Sequence, residues 1–469
     1  MTNSPFPPRP PRDRVIRRRP RQPEVIALPL AREREQAPHA RGHAKTFALA
    51  LLLVVAAGAA LLATPWTTED GTATAPVDAV FTAVSATSVT GLVTIDTQDH
   101  WNLFGEIVIL ALIQLGGLGF MVGASLILLT LRRGQARLSD SILIQNGAPT
   151  LSLREASRLS GRIVRFTLAV EAAGAVLLTI AFAREMPLPE AAWHGLFHAV
   201  SAFCNAGFDL QGEYRSLTPY GAAPWLNGVV MLLIQAGALS YIVFEDVAVK
   251  RRWRRLALDT KLVLSVNAIM LVAGTAVFLL AEWSSALGQI PPAHRPVAAL
   301  FQSVAARTAG FATVNFADAQ AVTVLAWIGI MLVGGASGST AGGVKLTTVG
   351  VVAATVVSTL RGREESHIFG RRLATPLVFR AIAVIALMVL VHFAVTLFLL
   401  VSEETGGEGE IGFLALMFEA MSALATVGLS TGITPSLSTA GKLALCAAMF
   451  FGRLGPLTAA YALQRRQRP

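Results

Sequence analysis

Long apolar stretches alternate with short polar ones along most of the chain, and the apolar stretches come in pairs. A helix needs about 20 mainly apolar residues to cross the hydrocarbon core of a bilayer. The pattern therefore predicts four repeats, each with a first span, a short intervening segment and a second span. First spans are predicted at 46–63, 163–183, 261–281 and 377–401, and second spans at 105–131, 226–248, 320–358 and 438–462.

The intervening segments have related sequences. Each contains a Phe that is followed nine or ten residues later by a Gly, in the pairs Phe81 and Gly91, Phe197 and Gly207, Phe301 and Gly310, and Phe418 and Gly428. Each segment is typical of a helix too short to cross a bilayer, followed by an extended piece whose Gly permits backbone geometry that other residues resist. This pattern predicts four pore loops.

Four pore loops can form one site for a dehydrated cation. Non-helical backbone at membrane depth is tolerated only against protein or water, so the loops should converge on a single axis. Their carbonyl groups would then replace the hydration shell of a monovalent cation. The alternative, four helices capped by Gly, does not explain the shared sequence before each Gly. The predicted filter residues are Val89, Thr90, Gly91, Asn205, Ala206, Gly207, Thr308, Ala309, Gly310, Thr426, Val427 and Gly428.

The predicted fold class is an all-α membrane protein with four parallel repeats around one central pore and pseudo-fourfold symmetry. The first residues are rich in Pro and Arg and cannot bury enough apolar surface to fold alone, so they are predicted to form a disordered cytoplasmic tail. The predicted boundaries are 1–43 for the tail, then 44–131, 132–248, 249–360 and 361–469 for the repeats.

Composition supports a polytopic membrane protein, with 53% hydrophobic and 14% charged residues. The net charge of +10 does not indicate a nucleic-acid partner, because the basic residues lie in blocks between apolar spans and at the ends. In the tail, Arg14 to Arg21 fit either a topology signal or an attraction to anionic membrane lipids. Cys204 and Cys446 give neither metal-ligand spacing nor a disulfide framework.

The basic blocks predict the orientation of the chain. Cytoplasmic loops carry an excess of Lys and Arg. The joints between repeats and both termini are therefore predicted to lie on the cytoplasmic side of the plasma membrane. These blocks are Arg132, Arg133 and Arg137; Lys250 to Arg255; Arg361, Arg363, Arg371 and Arg372; and Arg465, Arg466 and Arg468. The opposite side carries acidic residues that would concentrate cations or be merely solvated: Glu69, Asp70, Asp96, Asp99, Glu403, Glu404, Glu408 and Glu410.

The second span of the third repeat must be interrupted. As one helix, residues 320–358 would be about 60 Å long, twice the ~30 Å hydrocarbon core. Five glycines between 334 and 345 place the break there, and a polar segment at that depth must lie against protein or the pore. The predicted gate residues are Gly334, Gly335, Ser337, Gly338, Ser339, Thr340, Gly342, Gly343, Lys345 and Arg453.

Arg453 is the charged residue at an aligned position that holds Gly117, Ala238 and Gly335 in the other repeats. Gly334 follows the third filter Gly by 24 residues, and Gly452 follows the fourth by the same number, so Arg453 should lie level with the interrupted span. A charge inside a span is costly and by default indicates function. Two interpretations remain open, a gate in the pore or a structural pairing with carbonyls or with an acid such as Glu171.

Other polar residues in the membrane predict ordinary hydrogen bonds. His198, Gln302 and Glu419 occupy one position in the pore helices and are expected to pack or bond behind the filter. Asn267 and His392 each lie in a first span, where hydrogen bonding between helices is expected.

The motifs at Gln114 to Met121, Arg307 to Phe311, Gly338 to Gly343 and Gly452 to Thr458 resemble the Trk/Ktr/HKT superfamily of potassium transporters, most closely its KtrB branch. The resemblance extends from about Lys45 to the C-terminus. It departs at Cys204, where Asn is expected, and at Ala306 and Ala312, which are plainer than usual in the third loop.

The resemblance implies a membrane subunit that passes K⁺ through one pore per chain and pairs as a homodimer. It also implies control by a cytosolic RCK-type, KtrA-like ring, with ATP or ADP bound only by that partner and no cofactor in this chain. Na⁺ often stimulates or accompanies transport in such proteins. By the same resemblance, Gly91, Gly207, Gly310 and Gly428 correspond to the filter glycines, 334–343 to the intramembrane gating loop, and Arg453 to the arginine beside it.

Two alternatives to a regulated K⁺ uptake protein without catalytic chemistry follow from the same pattern. One is the translocating subunit of an ATP-driven potassium pump, which would need a partner for hydrolysis, since the sequence has neither an Asp-Lys-Thr phosphorylation motif nor a phosphate-binding loop. Co-purification with a large ATPase subunit would distinguish it. The other, a voltage-gated channel, is disfavoured because no span carries Arg at every third position. Each loop has one filter Gly, which predicts looser selectivity than in a K⁺ channel.

Overall fold

The computed structural model of the chain describes residues 48–136, 153–363, 365–406 and 411–455. Nearly all regular structure in these ranges is helical. The predicted tail 1–43 lies outside the described residues, as do some of the charged positions used to predict topology, namely Arg137, Glu408, Glu410, Arg465, Arg466 and Arg468.

The first predicted repeat contains two long helices and a short one between them. Pro76 stands in the first turn of the short helix, where its missing N–H would have no helical partner. The elements are α1 (Ala48–Leu62), a 3-10 turn (Pro65–Thr67), α2 (Pro76–Ser88), α3 (Thr97–His100) and α4 (Leu103–Ala136).

The second predicted repeat follows the same order but ends differently. Its elements are α5 (Leu153–Phe182), α6 (Leu188–Cys204), a 3-10 turn (Thr218–Tyr220), α7 (Pro224–Ala238) and α8 (Tyr241–Lys250). Helices α7 and α8 meet at an angle of 93°. The prediction of one continuous span at 226–248 is therefore wrong.

The bend after α7 has a physical cause in a distant part of the chain. Ser240 has a left-handed φ of 71°, which ends the helix. The carbonyl oxygens of Ala238 and Gly237 then accept hydrogen bonds from Ala336 N at 2.8 Å and Thr340 N at 3.3 Å. Because these carbonyls have partners, the helix can stop inside the protein without leaving buried acceptors unpaired.

The third predicted repeat has its second span in two pieces, as the glycine density predicts. Its elements are a 3-10 turn (Trp253–Arg255), α9 (Leu258–Glu282), α10 (Arg295–Ala305), a 3-10 turn (Phe316–Asp318), α11 (Ala321–Met331) and α12 (Leu346–Leu360). The segment 332–345 between α11 and α12 is not helical, and we call it the inner loop.

The last part of the described chain begins with a small antiparallel hairpin of β1 (His367–Ile368) and β2 (Arg371–Arg372), which the all-α prediction missed. Gly370, with a φ of 75°, and Phe369, with a φ of 48°, make its tight turn. The helices that follow are α13 (Thr375–Gly406), α14 (Phe413–Leu424) and α15 (Thr439–Leu454), with a 3-10 turn at Thr434–Ser436.

Among the described residues, four helices are long and apolar enough to cross a membrane alone, and the bent pair α7 and α8 would make a fifth span. The four are α4, α5, α9 and α13. Helices α1, α11, α12 and α14 are apolar but shorter. Four of the eight predicted spans are therefore single helices of full length. Of the other four, α11 and α12 share one span and α7 stops early, while α1 and α15 border residues that the structure does not describe.

The packing order closes on itself. Each short helix packs on the first long helix of its own repeat in three cases, α5 with α6, α9 with α10, and α13 with α14. Each second span or its outer half also packs on the short helix of the next repeat, in the pairs α4 with α6, α7 with α10, α11 with α14, and α15 with α2. The last pair brings the end of the described chain back to its beginning.

Candidate functional site

The four short helices α2, α6, α10 and α14 end in the same unusual backbone conformation. A non-glycine residue with left-handed φ lies two positions before each filter Gly: Val89 (54°), Asn205 (60°), Thr308 (64°) and Thr426 (52°). Glycine caps would have put the Gly itself at this position. The capping alternative is therefore wrong about these glycines, which lie beyond the turn.

Backbone N–H groups in the loops point back into the short helices. Thr90 N donates to Ser85 O at 2.8 Å, and Val427 N donates to Ser422 O at 2.8 Å. Ala206 and Ala309 also donate their N–H groups to residues of α6 and α10. Within the described parts of the chain, no donor bonds the carbonyl oxygens that precede the filter glycines, those of Thr90, Ala206, Ala309 and Val427. The loops therefore offer carbonyls to a ligand and keep their N–H groups away from it.

The filter glycines bring the four loops into contact. A Cβ on Gly207 would lie 2.8 Å from Ala309 O, and one on Gly310 would lie 2.8 Å from Val427 O. A Cβ on Gly91 would overlap Ala206 O, and one on Gly428 would overlap Thr90 O. Each Gly thus faces the carbonyl just before the next loop's Gly, in a closed order. All four also have positive φ, so both conformation and space require glycine here.

The aligned polar residues of the short helices bond behind the loops, which confirms the expectation for them. His198 Nε2 accepts from Leu210 N at 3.4 Å, and Gln302 Nε2 donates to Thr313 Oγ1 at 2.9 Å. Glu419 accepts from the backbone N–H of Thr431 at 2.9 Å and from the hydroxyls of Ser430 and Thr434. Each of these side chains holds the chain that leaves its filter loop.

A cavity of about 920 Å³ is lined by all four filter glycines and by the segments that follow them in the chain. Its wall includes Asp96, Asp209 and Glu213. Burial, and then the nearby charge of Asp96, raises the pKa of Asp209 to about 7. Asp96 accepts the backbone N–H of Tyr214 at 2.6 Å, so it also fixes the loop that follows Asp209. Acidic groups thus line part of one entrance to the filter loops, where Arg215 pairs with Glu213.

The inner loop is folded on itself. Gly334 N donates to Val344 O at 2.9 Å, and Val344 N donates to Leu332 O at 3.0 Å, so the ends of the loop lie side by side. A Cβ on Gly334 would overlap the carbonyl oxygen of Gly342. The glycines therefore permit a close return of the chain, and the loop is compact rather than extended.

The inner loop touches two of the filter loops. Thr340 Oγ1 donates to Asn205 Oδ1 at 3.0 Å and lies 3.2 Å from Phe203 O. A Cβ on Gly342 would overlap Thr426 Oγ1. Asn205 and Thr426 are the left-handed residues that begin the second and fourth loops. The inner loop thus lies directly against residues of the second and fourth loops.

Arg453 joins the inner loop to α4. Its Nη1 donates to Thr340 O, and its Nη2 donates to Gly116 O at 2.8 Å. Its Cζ lies 4.5 Å from the ring centre of Phe120. Among the described ion pairs none includes Arg453, although its side chain is only 1% exposed. Of the structural partners considered from sequence, the carbonyls bind Arg453 and Glu171 does not.

The other predicted gate residues bond mainly within the inner loop. Lys345 Nζ donates to Ala341 O at 2.6 Å and Ser339 Oγ donates to Ala336 O at 2.7 Å. Ser337 Oγ lies 3.4 Å from Thr347 Oγ1. Gly338 O accepts the hydroxyl of Ser240 at 3.0 Å, which ties the loop to the bend after α7. Gly335 O accepts from Leu346 N at 3.0 Å, and Gly343 has a φ of 61°.

Glycines in three second spans allow these helices to contact the short helices. A Cβ on Gly116, Gly237 or Gly452 would overlap the carbonyl oxygen of Thr87, Phe203 or Leu424, respectively. Each of these carbonyls belongs to the residue four positions before a filter Gly. In the third repeat, Gly334 instead contacts the inner loop itself. The aligned glycine thus has the same neighbour in three repeats and a different one where the span is broken.

The lone polar residues of the first spans behave differently from each other. Asn267 Nδ2 donates to Gln235 Oε1 on α7 at 3.1 Å, which confirms hydrogen bonding between helices. The same oxygen accepts from Arg307 at 3.3 Å. For His392 the expectation is wrong, since both ring nitrogens are buried without a partner in the described residues.

Two side chains of the site escaped prediction. Asn205 was selected as a source of backbone carbonyls, but its side chain also accepts the hydroxyl of Thr340. Phe120 was part of an aligned motif, but its contact with a cation more than 300 positions away was not visible. Phe120 lies four positions after Gly116 and therefore on the same face of α4. This spacing was the signal in the sequence that could have placed Phe120 beside Arg453.

Four spanning helices and short apolar helices that end in converging loops define an integral membrane protein. The chain belongs to the TrkH family, described as cation transport proteins, whose sequence model matches residues 32–467. The resemblance to the Trk/Ktr superfamily and its KtrB branch is thereby confirmed.

Named relatives are similar over nearly their whole length. Ktr system potassium uptake protein B of Bacillus subtilis (strain 168) is 35% identical over 427 residues, covering 90% of this chain and 93% of the relative. The potassium/sodium uptake protein NtpJ of Enterococcus hirae is 34% identical over 417 residues, covering 89% and 91%. The crystal structure of the potassium transporter TrkH from Vibrio parahaemolyticus shares the fold, with a TM-score of 0.69, 20% identity, and 90% of this chain and 85% of that chain covered.

Proposed function

We propose that this chain takes up K⁺ across the plasma membrane through a selectivity filter made by its four loops. The observation that carries the proposal is the closed contact order of the filter glycines, each of which faces the carbonyl before the next Gly. In this proposal four parallel repeats surround one central pore with pseudo-fourfold symmetry. K⁺ binds the carbonyls of Gly91, Gly207, Gly310 and Gly428 and of the residues before them.

The chemistry of the loops suits a cation that leaves water. Carbonyl oxygens without protein donors can replace the hydration shell of the ion. The C-termini of α2, α6, α10 and α14 end at the loops, and their partial negative charge favours a cation there. Passage of an ion needs no covalent step, so we propose a transporter and not an enzyme. A single Gly in each loop favours looser selectivity than that of a K⁺ channel.

The names of the relatives support the choice of ion. One is called a potassium uptake protein and another a potassium/sodium uptake protein. We therefore assign K⁺ as the transported ion and Na⁺ as a second cation that accompanies or stimulates uptake.

The inner loop and Arg453 form the gate in this proposal. A fixed positive charge in a medium of low dielectric constant opposes the passage of cations. The guanidinium is held by Thr340 O of the inner loop and Gly116 O of α4. Displacement of the inner loop would remove one of these two acceptors, free the guanidinium and so release the barrier.

The regulator in this proposal is a cytosolic RCK-type ring that binds nucleotide, and the chain works as a homodimer with both termini in the cytoplasm. Exposed arginines near the predicted inner surface, including Arg251, Arg254 and Arg371, would contact the ring. Such contacts are screened by salt. Binding of the ring to purified chain should therefore weaken as salt is raised, and full ligand-responsive transport by the chain alone would contradict this part.

The central test measures the flux of labelled K⁺, Rb⁺ and Na⁺ into vesicles that contain the purified chain. Gly310→Ser and Gly91→Ser should lower the ratio of K⁺ to Na⁺ flux or abolish uptake, because each new Cβ meets the neighbouring loop. Gly329→Ala is the matched control, since its Cβ would have no neighbour within 4 Å.

The variants must be compared at equal amounts of folded protein in the vesicles. Unchanged K⁺ to Na⁺ ratios in both filter variants would overturn the carbonyl filter. A similar loss in Gly329→Ala would point to a general fault in membrane assembly.

A further inference from the structure

A buried acid lies close to the gate without a positively charged partner. Glu171, on α5, is only 3% exposed. Its Oε2 accepts from Gln114 Nε2 at 3.1 Å, and its Oε1 lies 3.8 Å from the thiol of Cys204. No ion pair in the described residues includes Glu171. Its partners are therefore one amide and one weak thiol donor.

Glu171 and Arg453 contact the same short stretch of α4. Arg453 donates to Gly116 O, and Glu171 accepts from Gln114, two residues earlier. Cys204, the other contact of the carboxylate, lies so close to Gly117 that a Cβ there would be 2.6 Å from its sulfur. Glu171 and Arg453 are therefore both tied to residues 114–117 of α4, and the side chains that contact Glu171 are uncharged.

Both charges have unusually poor partners for their depth. A buried charge is costly unless it is paired and hydrogen-bonded. Arg453 has two carbonyls and one aromatic ring, and its Nε has no acceptor. If the inner loop moves, Arg453 loses Thr340 O. The carboxylate of Glu171, which contacts the same stretch of α4, would then gain from that positive charge.

We propose that Glu171 is the acceptor that holds the Arg453 guanidinium away from the ion path once the inner loop has moved. The inference rests on the proposed gate and adds its second position. Arg453 alternates between the carbonyl of Thr340, which places it against the filter, and the carboxylate of Glu171, which holds it against α4 and α5. Glu171 is a positioning residue, because it acts on ions only through Arg453. Gln114 orients the carboxylate for this role.

The test uses the full chain in vesicles and needs no regulator. Deletion of 336–342 removes Thr340 and should open the path, with Arg453 held by Glu171. Adding Glu171→Gln should then lower K⁺ flux by about fivefold, a modest coupling between two sites, because Arg453 returns to the path. Glu171→Asp in the same background should restore part of the flux. In an Arg453→Ala background, Glu171→Gln should change nothing further.

Glu106→Gln is the matched control. Glu106 is also a buried carboxylate in a span, with Trp193 Nε1 as its side-chain donor, but it lies two turns from Gln114 along α4. It should leave the flux of the loop-deleted chain unchanged. All fluxes are expressed per folded protein.

The outcomes separate the two proposals. If deletion of 336–342 and Arg453→Ala both fail to raise flux, the gate is wrong and this inference fails with it. If they raise flux but Glu171→Gln has no effect in the deleted chain, or has an equal effect without Arg453, the gate stands and Glu171 is not its second position.

Discussion

The ammonium group of Lys345 lies 5.4 Å from the centre of the Phe120 ring, which also carries the guanidinium of Arg453. One aromatic ring on α4 thus faces two cations, one at the end of the inner loop and one on α15. The negative face of an aromatic ring attracts cations, most strongly where water is excluded. Neither cation has a described carboxylate partner, so in the proposed gate Phe120 would stabilise the closed arrangement.

Phe120→Leu should therefore raise K⁺ flux through the isolated chain. Loss of each cation contact should destabilise the closed state by about 0.5–2 kcal/mol, while Leu keeps most of the apolar volume of Phe. Phe104→Leu, an exposed position on the same helix, is the control and should not change flux. Reduced flux in Phe120→Leu, at equal amounts of folded protein, would show that the ring favours the conducting state instead.

Deleting 336–342, or replacing Arg453 with Ala, should raise K⁺ flux and weaken its dependence on the regulator. The deletion removes the inner loop's contacts with Asn205 and Thr426. The substitution removes the positive charge that Thr340 O of the inner loop holds near the filter loops. The measurement is flux per folded protein in the membrane, because loss of a buried arginine can also impair folding. Equal or lower flux in both variants would mean that this segment is not a gate.

Uptake should depend on external pH through Asp209. Its pKa is raised to about 7 by burial and by the charge of Asp96, so the carboxyl is neutral in acid and negative above neutrality. A negative group in the cavity beside the filter concentrates cations. K⁺ uptake at low ionic strength should therefore rise as external pH increases from about 6 to about 8.

Asp209→Asn should remove most of that pH dependence and give the low uptake of the acidic condition throughout. Initial rates of Rb⁺ uptake measured across this range provide the check. High salt should reduce the difference between the variant and the original chain, because screening weakens attraction to the cavity. A persistent pH dependence in the variant would assign it to another group.

Gly116→Ala should destabilise the folded protein by about 1–3 kcal/mol, the usual cost of overpacking. Its Cβ would overlap Thr87 O at the end of α2, and backbone cannot move aside as a flexible side chain can. Gly119→Ala, three residues along the same helix with no neighbour within 4 Å, should leave the melting temperature unchanged or raised. Thermal unfolding in detergent compares the two.

The sequence was sufficient to predict four short helices followed by non-helical loops, because the Phe-to-Gly spacing recurs and is local. The break in the third second span could also be predicted, since its length and glycine content both contradict one helix. The bend after Ala238 could not. Residues 226–248 are mainly apolar and contain no Pro, and the partners that replace the lost helical bonds, Ala336 and Thr340, lie about 100 residues away.

The conformation of the filter loops shows a second limit. Val89 and Thr426 are β-branched residues that rarely adopt positive φ, so no local propensity indicates their turns. They adopt it because hydrogen bonds to the short helix hold the next residues in place. Likewise, Arg453 donates to Thr340 O and not to Glu171. This partner depends on side-chain positions that an alignment of the four repeats does not determine.

The closed contact order of the four loops within one chain has a consequence for how the protein can evolve. In an assembly of four identical subunits, one codon change alters the ring at four points at once. Here one chain encodes each quarter separately, and the quarters already differ, with Val89, Asn205, Thr308 and Thr426 at the same turn. A single substitution therefore alters one quarter while three are kept. In the proposed filter, selection would therefore adjust the preference for one ion over another in small increments, and the four loop sequences could diverge without loss of the ring.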